Sequence, residues 1–112
     1  MKQLEVLVRK SINEVHIDLE GDLTLMDALN FKHSLNELNE GQDVILDLNK
    51  IKEIDLTGLN ALLMLKLLCS RSSRQLTIYV YDGHPLYELL ELTKFKNQFS
   101  FRNSIAKMEL VA

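Results

Sequence analysis

Val44 to Cys69 reads VILDLNKIKEIDLTGLNALLMLKLLC. Its opening run, Val44, Ile45, Leu46 and Leu48, has the length of a strand and is apolar on both faces except at Asp47, as in a strand covered on both sides or placed centrally. A charged connector leads to Ile54-Asp55-Leu56-Thr57-Gly58-Leu59, and a strongly apolar helical pattern follows. The stretch reads as strand, loop, helix. Thr57 stands where a helix N-cap is expected, its hydroxyl placed to accept a hydrogen bond from a first-turn N–H that has no partner inside the helix. An added phosphate on that hydroxyl would meet the positive end of the helix dipole. On these residues alone, cap and switch both stand.

Within the helix, a 100° wheel gathers Ala61, Leu62, Leu65, Leu68 and Cys69 on one arc, with Asn60, Lys66, Ser70 and Arg71 broadly opposite. Leu63, Met64 and Leu67 fall on the polar side. Either neighbouring elements cover them or they form an exposed apolar patch beside the Thr57 end, the kind of surface that marks a partner site.

Upstream, Leu4, Val6 and Val8 alternate with charged neighbours, and Val15, Ile17 and Leu19 do so again beyond the turn-prone Ser11-Ile12-Asn13. Two amphipathic strands with the spacing of a hairpin result, the second ending at Gly21-Asp22. Thr24 and Asp27 have the spacing of a capping box. Ala28, Phe31, Leu35 and Leu38 then recur as the buried stripe of a helix ending near Glu40-Gly41. Downstream, Leu76 to Val80 is a strand closed by Asp82-Gly83, and Pro85 suits the first turn of a helix from Leu86 to about Thr93. Phe99 and Phe101 alternate as in an edge strand, and Ser104 to Leu110 reads as a last helical turn or two. The order predicts a single α/β domain over residues 1–112, with a mixed or largely parallel sheet of four to five strands and helices packed on it.

Composition narrows the function. At 112 residues, 46% hydrophobic and 26% charged, the chain is an ordinary globular domain able to hold one core. A net charge of -3 and no basic stripe argue against a nucleic-acid partner. The most apolar window, Leu59 to Cys69, is interrupted by Asn60 and Lys66 and is too short to span a bilayer. A lone cysteine and an N-terminus without a long apolar segment suggest the cytoplasm.

Catalytic chemistry finds little support. His16, His33 and His84 show no metal-ligand spacing, and His84 reads as a solvated loop histidine. Asp47-Leu48-Asn49 lacks the second acid of a phosphatase-type nucleophile motif, and no G-x-S-x-G or phosphate loop occurs. No catalytic residue, metal or cofactor is expected. Asp55 either accepts bonds from loop amides or orients the Thr57 hydroxyl or a metal-bound phosphate during transfer; its residue context favours the first. Glu20, Asp22, Asp27, Glu53 and Asp55 fall where they would share one end of the sheet, as an acidic rim around Thr57 or as solvated charges.

The words Asp55-Leu56-Thr57-Gly58-Leu59, preceded by Ile45-Leu46-Asp47-Leu48-Asn49-Lys50-Ile51-Lys52-Glu53-Ile54, resemble the signature of STAS domains, above all the bacterial anti-sigma factor antagonists. Leu19-Glu20-Gly21-Asp22-Leu23 and Pro85-Leu86-Tyr87-Glu88-Leu89-Leu90 extend the resemblance over nearly the whole chain. In that family the pattern is roughly D-S-[ST]-G-[LIV], and a partner kinase phosphorylates the hydroxyl residue before the glycine, here Thr57. Leu56 replaces the family's first serine. The resemblance implies a non-enzymatic module with Asp55, Leu56 and Gly58 in its switch loop and Asp22, Leu59, Asn60, Leu63, Met64 and Leu67 toward the partner. It also favours an orienting role for Asp55. The implied partners are an anti-sigma factor kinase or related regulator, and a phosphatase; the domain itself would be a monomer or weak dimer. The alternative is a constitutive, unmodified STAS subunit of a membrane-associated ATPase complex such as a lipid transporter.

Overall fold

The computed structural model describes residues 3–35, 42–81 and 83–93, and the backbone of strands at 100–103 and 108–111. In chain order the elements are β1 (Glu5–Lys10), β2 (Glu14–Leu23), α1 (Leu25–Ser34), β3 (Asp43–Ile54), α2 (Leu56–Arg71), β4 (Leu76–Val80), α3 (Pro85–Thr93), β5 (Ser100–Asn103) and β6 (Met108–Val111). They form one sheet in the order β1-β2-β3-β4-β6-β5. β2, β3 and β4 run parallel, joined through α1 and α2, while β1, β6 and β5 add antiparallel at the two ends. The α/β domain with a mixed sheet is as the sequence predicts.

Two details differ. The described strands number six rather than four to five, because Met108–Val111, which overlaps the stretch Ser104 to Leu110 read as a last helical turn or two, pairs with β4 through Thr77↔Val111 and Tyr79↔Glu109. Four residues carry too weak a helical preference to resist a sheet edge that supplies their hydrogen bonds. β3 also continues through the charged connector to Ile54. The strand stays in the sheet through a register shift, Asp18 facing Asp47 but Glu20 facing Lys50. This brings Ile51 into the core while Lys50, Lys52 and Glu53 remain exposed.

The core lies between the helices and the inner face of the sheet. Val15, Ile17 and Leu19 of β2, Val44, Leu46 and Leu48 of β3, and Leu76, Ile78 and Val80 of β4 are buried in alternation. Ala28 and Phe31 of α1, with Leu35 just beyond it, and Leu62 and Leu65 of α2 meet them. Leu38 and the expected helix end at Glu40-Gly41 lie outside the described residues, as do Asp82 and Phe99. β1 departs from its amphipathic reading: all six residues are exposed, with only Leu4 before it partly buried against the core. Gly21 continues β2 rather than ending it; with φ of 111°, it lets Gln3 approach where a Cβ would meet that residue's carbonyl oxygen. No described helix is long and apolar enough to cross a membrane.

His84 is a core residue rather than a solvated one, at 1% exposure. Its Nδ1 accepts the Leu86 N–H at 3.0 Å, capping α3 ahead of Pro85, so Nε2 carries the proton and donates to the Ile51 carbonyl oxygen at 2.9 Å. A neutral ring thus ties α3 to the extended end of β3. Burial pushes its pKa below the usual 6.5, outweighing the backbone bonds to Ile51 and Leu48 that favour the charged form. The unfolded chain therefore takes up a proton more readily, so the contribution of His84 is full above 6.5 and is lost as pH falls through the depressed folded value. Denaturant titrations from about pH 7.5 to about pH 5 should show this loss. His84→Phe, keeping bulk but neither bond, should cost about 1–3 kcal/mol at the upper pH and flatten the profile.

Candidate functional site

Both parallel connections lead into a helix at the same end of the sheet, α1 after β2 and α2 after β3. In an α/β sheet the carboxyl ends of the parallel strands are where ligands and partners are met. Asp55 joins the two helix starts. Its Oδ1 accepts the Gly58 N–H at 2.9 Å, its Oδ2 accepts the Leu25 N–H at 3.0 Å, and its backbone carbonyl accepts the Leu59 N–H at 2.9 Å. One carboxylate fastens the first turns of both helices.

This corrects the cap assignment. The N-cap of α2 is Asp55, and Thr57 is already the second helical residue. A carboxylate on an N–H makes a charge-assisted bond, stronger than the one a hydroxyl offers two residues later. Asp55 thereby takes the amide-binding role that its residue context favoured. The capping box at Thr24 does not form either: Thr24 is the N-cap residue of α1 without a side-chain cap bond, and Asp27 instead accepts the Leu4 N–H at 3.2 Å. The N–H of the first helical residue, Leu25, is taken up by Asp55.

Gly58 is needed at its place. The first turn of α2 lies so close to the end of β2 that a Cβ there would collide with the Leu23 carbonyl oxygen and crowd Ile54 Cγ1 at 2.8 Å. Leu25 carries the strain of the junction: it has φ of 49°, a left-handed backbone that costs a leucine roughly 1–2 kcal/mol. Its N–H is bonded to Asp55 and its side chain is 62% exposed. Met26 is 64% and Leu56 62% exposed. Leu25 and Leu56, one bonded to the Asp55 carboxylate and one following it in sequence, and Met26 beside them make an apolar group at the helix starts. Leu25 and Met26 were missed by sequence reading, since an apolar pair opening a helix is usually its buried face.

Thr57 is partly exposed, and its hydroxyl has no hydrogen-bond partner among the described residues. Along α2, Asn60 is exposed, Leu63 and Met64 are partly buried against the core, and Leu67 is 43% exposed. The wheel reading of a partly open face thus matches, with Leu62 and Leu65 buried and Leu68 half-buried. Leu59 at 1% and Asp22 at 5% exposure are core-facing, which removes both side chains from a direct contact surface. Burial of Asp22 also breaks the acidic rim: Asp55 and Asp27 are engaged by amides, and Glu20 faces Lys50 across the strands. Among the described residues no group of three or more His, Cys, Asp and Glu could hold a metal ion.

The arrangement can present a free hydroxyl on a rigid helix start, bordered by apolar side chains. A family model described as Mlab, STAS domain matches residues 6–97, from β1 through α3, and so includes every residue of this site. No curated protein matches the chain.

Stability should depend on Asp55 far more than on Thr57. Asp55→Ala leaves the Gly58 and Leu25 amides without their acceptor and should cost about 2–4 kcal/mol. Thr57→Ala should stay within about 0.5 kcal/mol of wild type. Urea denaturation of the two variants beside wild type measures both; equal losses would return the cap to Thr57.

Proposed function

The chain belongs to the STAS domain family, and on that premise we propose that it is a protein-binding regulator switched by phosphorylation of Thr57. The observation that supports this most is Thr57, partly exposed and with no hydrogen-bond partner for its hydroxyl among the described residues, at the helix starts where Leu25, Met26 and Leu56 are exposed. Unphosphorylated, the domain binds its partner through these residues, with Asn60, Leu63, Met64 and Leu67 continuing the contact along α2. The partner in this reading is an anti-sigma factor kinase or a related cytoplasmic regulator. It transfers the γ-phosphoryl group of ATP to Thr57 Oγ1, releasing ADP, while a base of the kinase takes the hydroxyl proton. The domain contributes the acceptor and no catalytic group.

The phosphate adds a charge of about -1.5 to -2 at pH 7. Placed among apolar side chains that a partner must desolvate, that charge opposes docking. Binding is then lost, and a phosphatase restores it.

Partial burial of Thr57 favours a second reading. There the domain is a constitutive subunit of a membrane-associated ATPase complex such as a lipid transporter, and Thr57 is a contact residue that is never modified.

Because Asp55 supplies the cap, Thr57 variants test binding without a confounding loss of fold. Thr57→Ala should keep affinity for a partner isolated by pull-down, and Thr57→Glu should fold yet bind at least about tenfold more weakly. Leu56→Lys should weaken binding by a similar factor. Titration calorimetry, with phosphopeptide mapping after incubation with partner and ATP, decides the matter. Equal affinity for wild type, Thr57→Ala and Thr57→Glu, with no phosphate on Thr57, would leave the constitutive reading in place.

A further inference from the structure

β1 ends the strand order, and each of its residues is exposed, including Val6 at 46%, Leu7 at 58% and Val8 at 43%. Three consecutive exposed apolar residues on an open edge are unusual, since such an edge is a template for another strand. The residues around Leu7 read Glu5-Val6-Leu7-Val8-Arg9. About Leu7 the stretch is symmetric in apolar character and opposite in charge.

The hairpin decides which groups face outward. Glu5 faces Glu20, Leu7 faces Asp18 and Arg9 faces His16. In the same register, Ser11 donates its N–H to the Glu14 carbonyl oxygen at 2.9 Å. Hydrogen-bonded pairs alternate along an antiparallel ladder, so Glu5, Leu7 and Arg9 bond to β2. Val6 and Val8 therefore turn their N–H and C=O groups away from it.

We propose that the chain pairs with a second copy of itself through this edge, antiparallel and centred on Leu7. Val6 of one copy then exchanges backbone bonds with Val8 of the other, and Leu7 faces Leu7 as a close non-bonded pair. Only registers that set outward-turned residues opposite one another can hydrogen-bond. Of these, the one centred on Leu7 puts Glu5 opposite Arg9 at both ends; a shift of two residues either way sets Leu7 against one of those charges. Arg9 already reaches Asp18 of its own chain at 3.0 Å, on the face that Glu5 and Leu7 share. The partner's Glu5 supplies a second carboxylate from the other side. On the opposite face, Val6 and Val8 line an open groove of about 510 Å³ with Ile17, Phe31 and Leu35, its rim including Lys10 and Asp27, and pairing brings two such grooves side by side. Pairing stops beyond Val6 because the Leu4 N–H is held by Asp27.

Sedimentation of the full chain from low-micromolar to millimolar concentration should show a monomer passing to a dimer. Val8→Pro removes an outward N–H that β2 does not use and is tolerated on an edge strand. That variant should remain monomeric with an unchanged far-ultraviolet dichroism spectrum. Glu5→Lys and Arg9→Glu should each weaken self-association by about tenfold, as attraction becomes repulsion at both ends. Mixing the two should restore it, since each copy then meets opposite charges. Leu7→Cys should give a disulfide-linked dimer on mild oxidation, because facing non-bonded residues lie only ~4.5 Å apart at Cα, within disulfide reach. Ile12→Cys, 91% exposed in the hairpin turn, should not. A monomer at every concentration overturns the proposal, as does a dimer that survives Val8→Pro; failure of mixing to rescue overturns the register centred on Leu7.

Discussion

The carboxylate of Asp55 is the point on which the site depends. A helix start leaves four N–H groups without partners, and here two helices begin side by side at the end of the same parallel sheet. One side chain answers to both, through Gly58 of its own helix and Leu25 of the neighbouring one. Local capping and tertiary packing thus become one interaction. Gly58 follows from it, since bringing α2 close enough for Asp55 to reach α1 leaves no room for a Cβ against Leu23. The strained backbone of Leu25 stands at the same junction, its N–H on that carboxylate.

That constraint explains why apolar side chains stand in water at this end of the molecule. A leucine forced to positive φ at an exposed junction gives up stability twice, in strain and in unburied surface. Glycine would relieve the first and remove the second. Retaining leucine there makes sense where the side chain meets something else, and Met26 and Leu56 share its exposure. Thr57, whose hydroxyl has no hydrogen-bond partner among the described residues, stands in the first turn of α2 beside Leu56. Asp55 has taken the structural work that a threonine near a helix start would otherwise do.

The sheet and its helices were largely legible because their burial is periodic. Val15, Ile17 and Leu19 of β2 and Leu62 and Leu65 of α2 are buried where the patterns place them, and β3, whose apolar run read as a covered or central strand, lies inside the described sheet. Local chemistry was less legible where a tertiary partner overrode it. Thr57 and Thr24 both had the residue type of a cap, yet the cap of α2 lay two residues upstream, and Asp27 turned to the N-terminal strand. His84 looked like a loop residue because Gly83 and Pro85 flank it; only the extended end of β3, itself read as a connector, supplies the carbonyl that makes it a core latch. The resemblance at Asp55-Leu56-Thr57-Gly58 pointed to the candidate site, while the exposed Leu25 and Met26 needed the backbone of α1 to be seen.

The fixed position of Asp55 also bears on how a charge at Thr57 would act. A phosphate at the start of α2 would be favoured by the helix dipole by roughly 0.3–1 kcal/mol. It would be opposed by the neighbouring Asp55 carboxylate, and two like unit charges in water a few ångströms apart repel by about 1 kcal/mol. The two effects are of one size and opposite sign, and Asp55 is held by bonds to both helices. The frame therefore has little reason to move. Against a docked partner the balance is different, because the same charge would lose water among Leu25, Met26 and Leu56, where desolvation of an ion costs several kcal/mol. A phosphate there would thus barely perturb the folded domain yet oppose the docking of a partner, acting through the chemistry of the surface rather than through a change of shape.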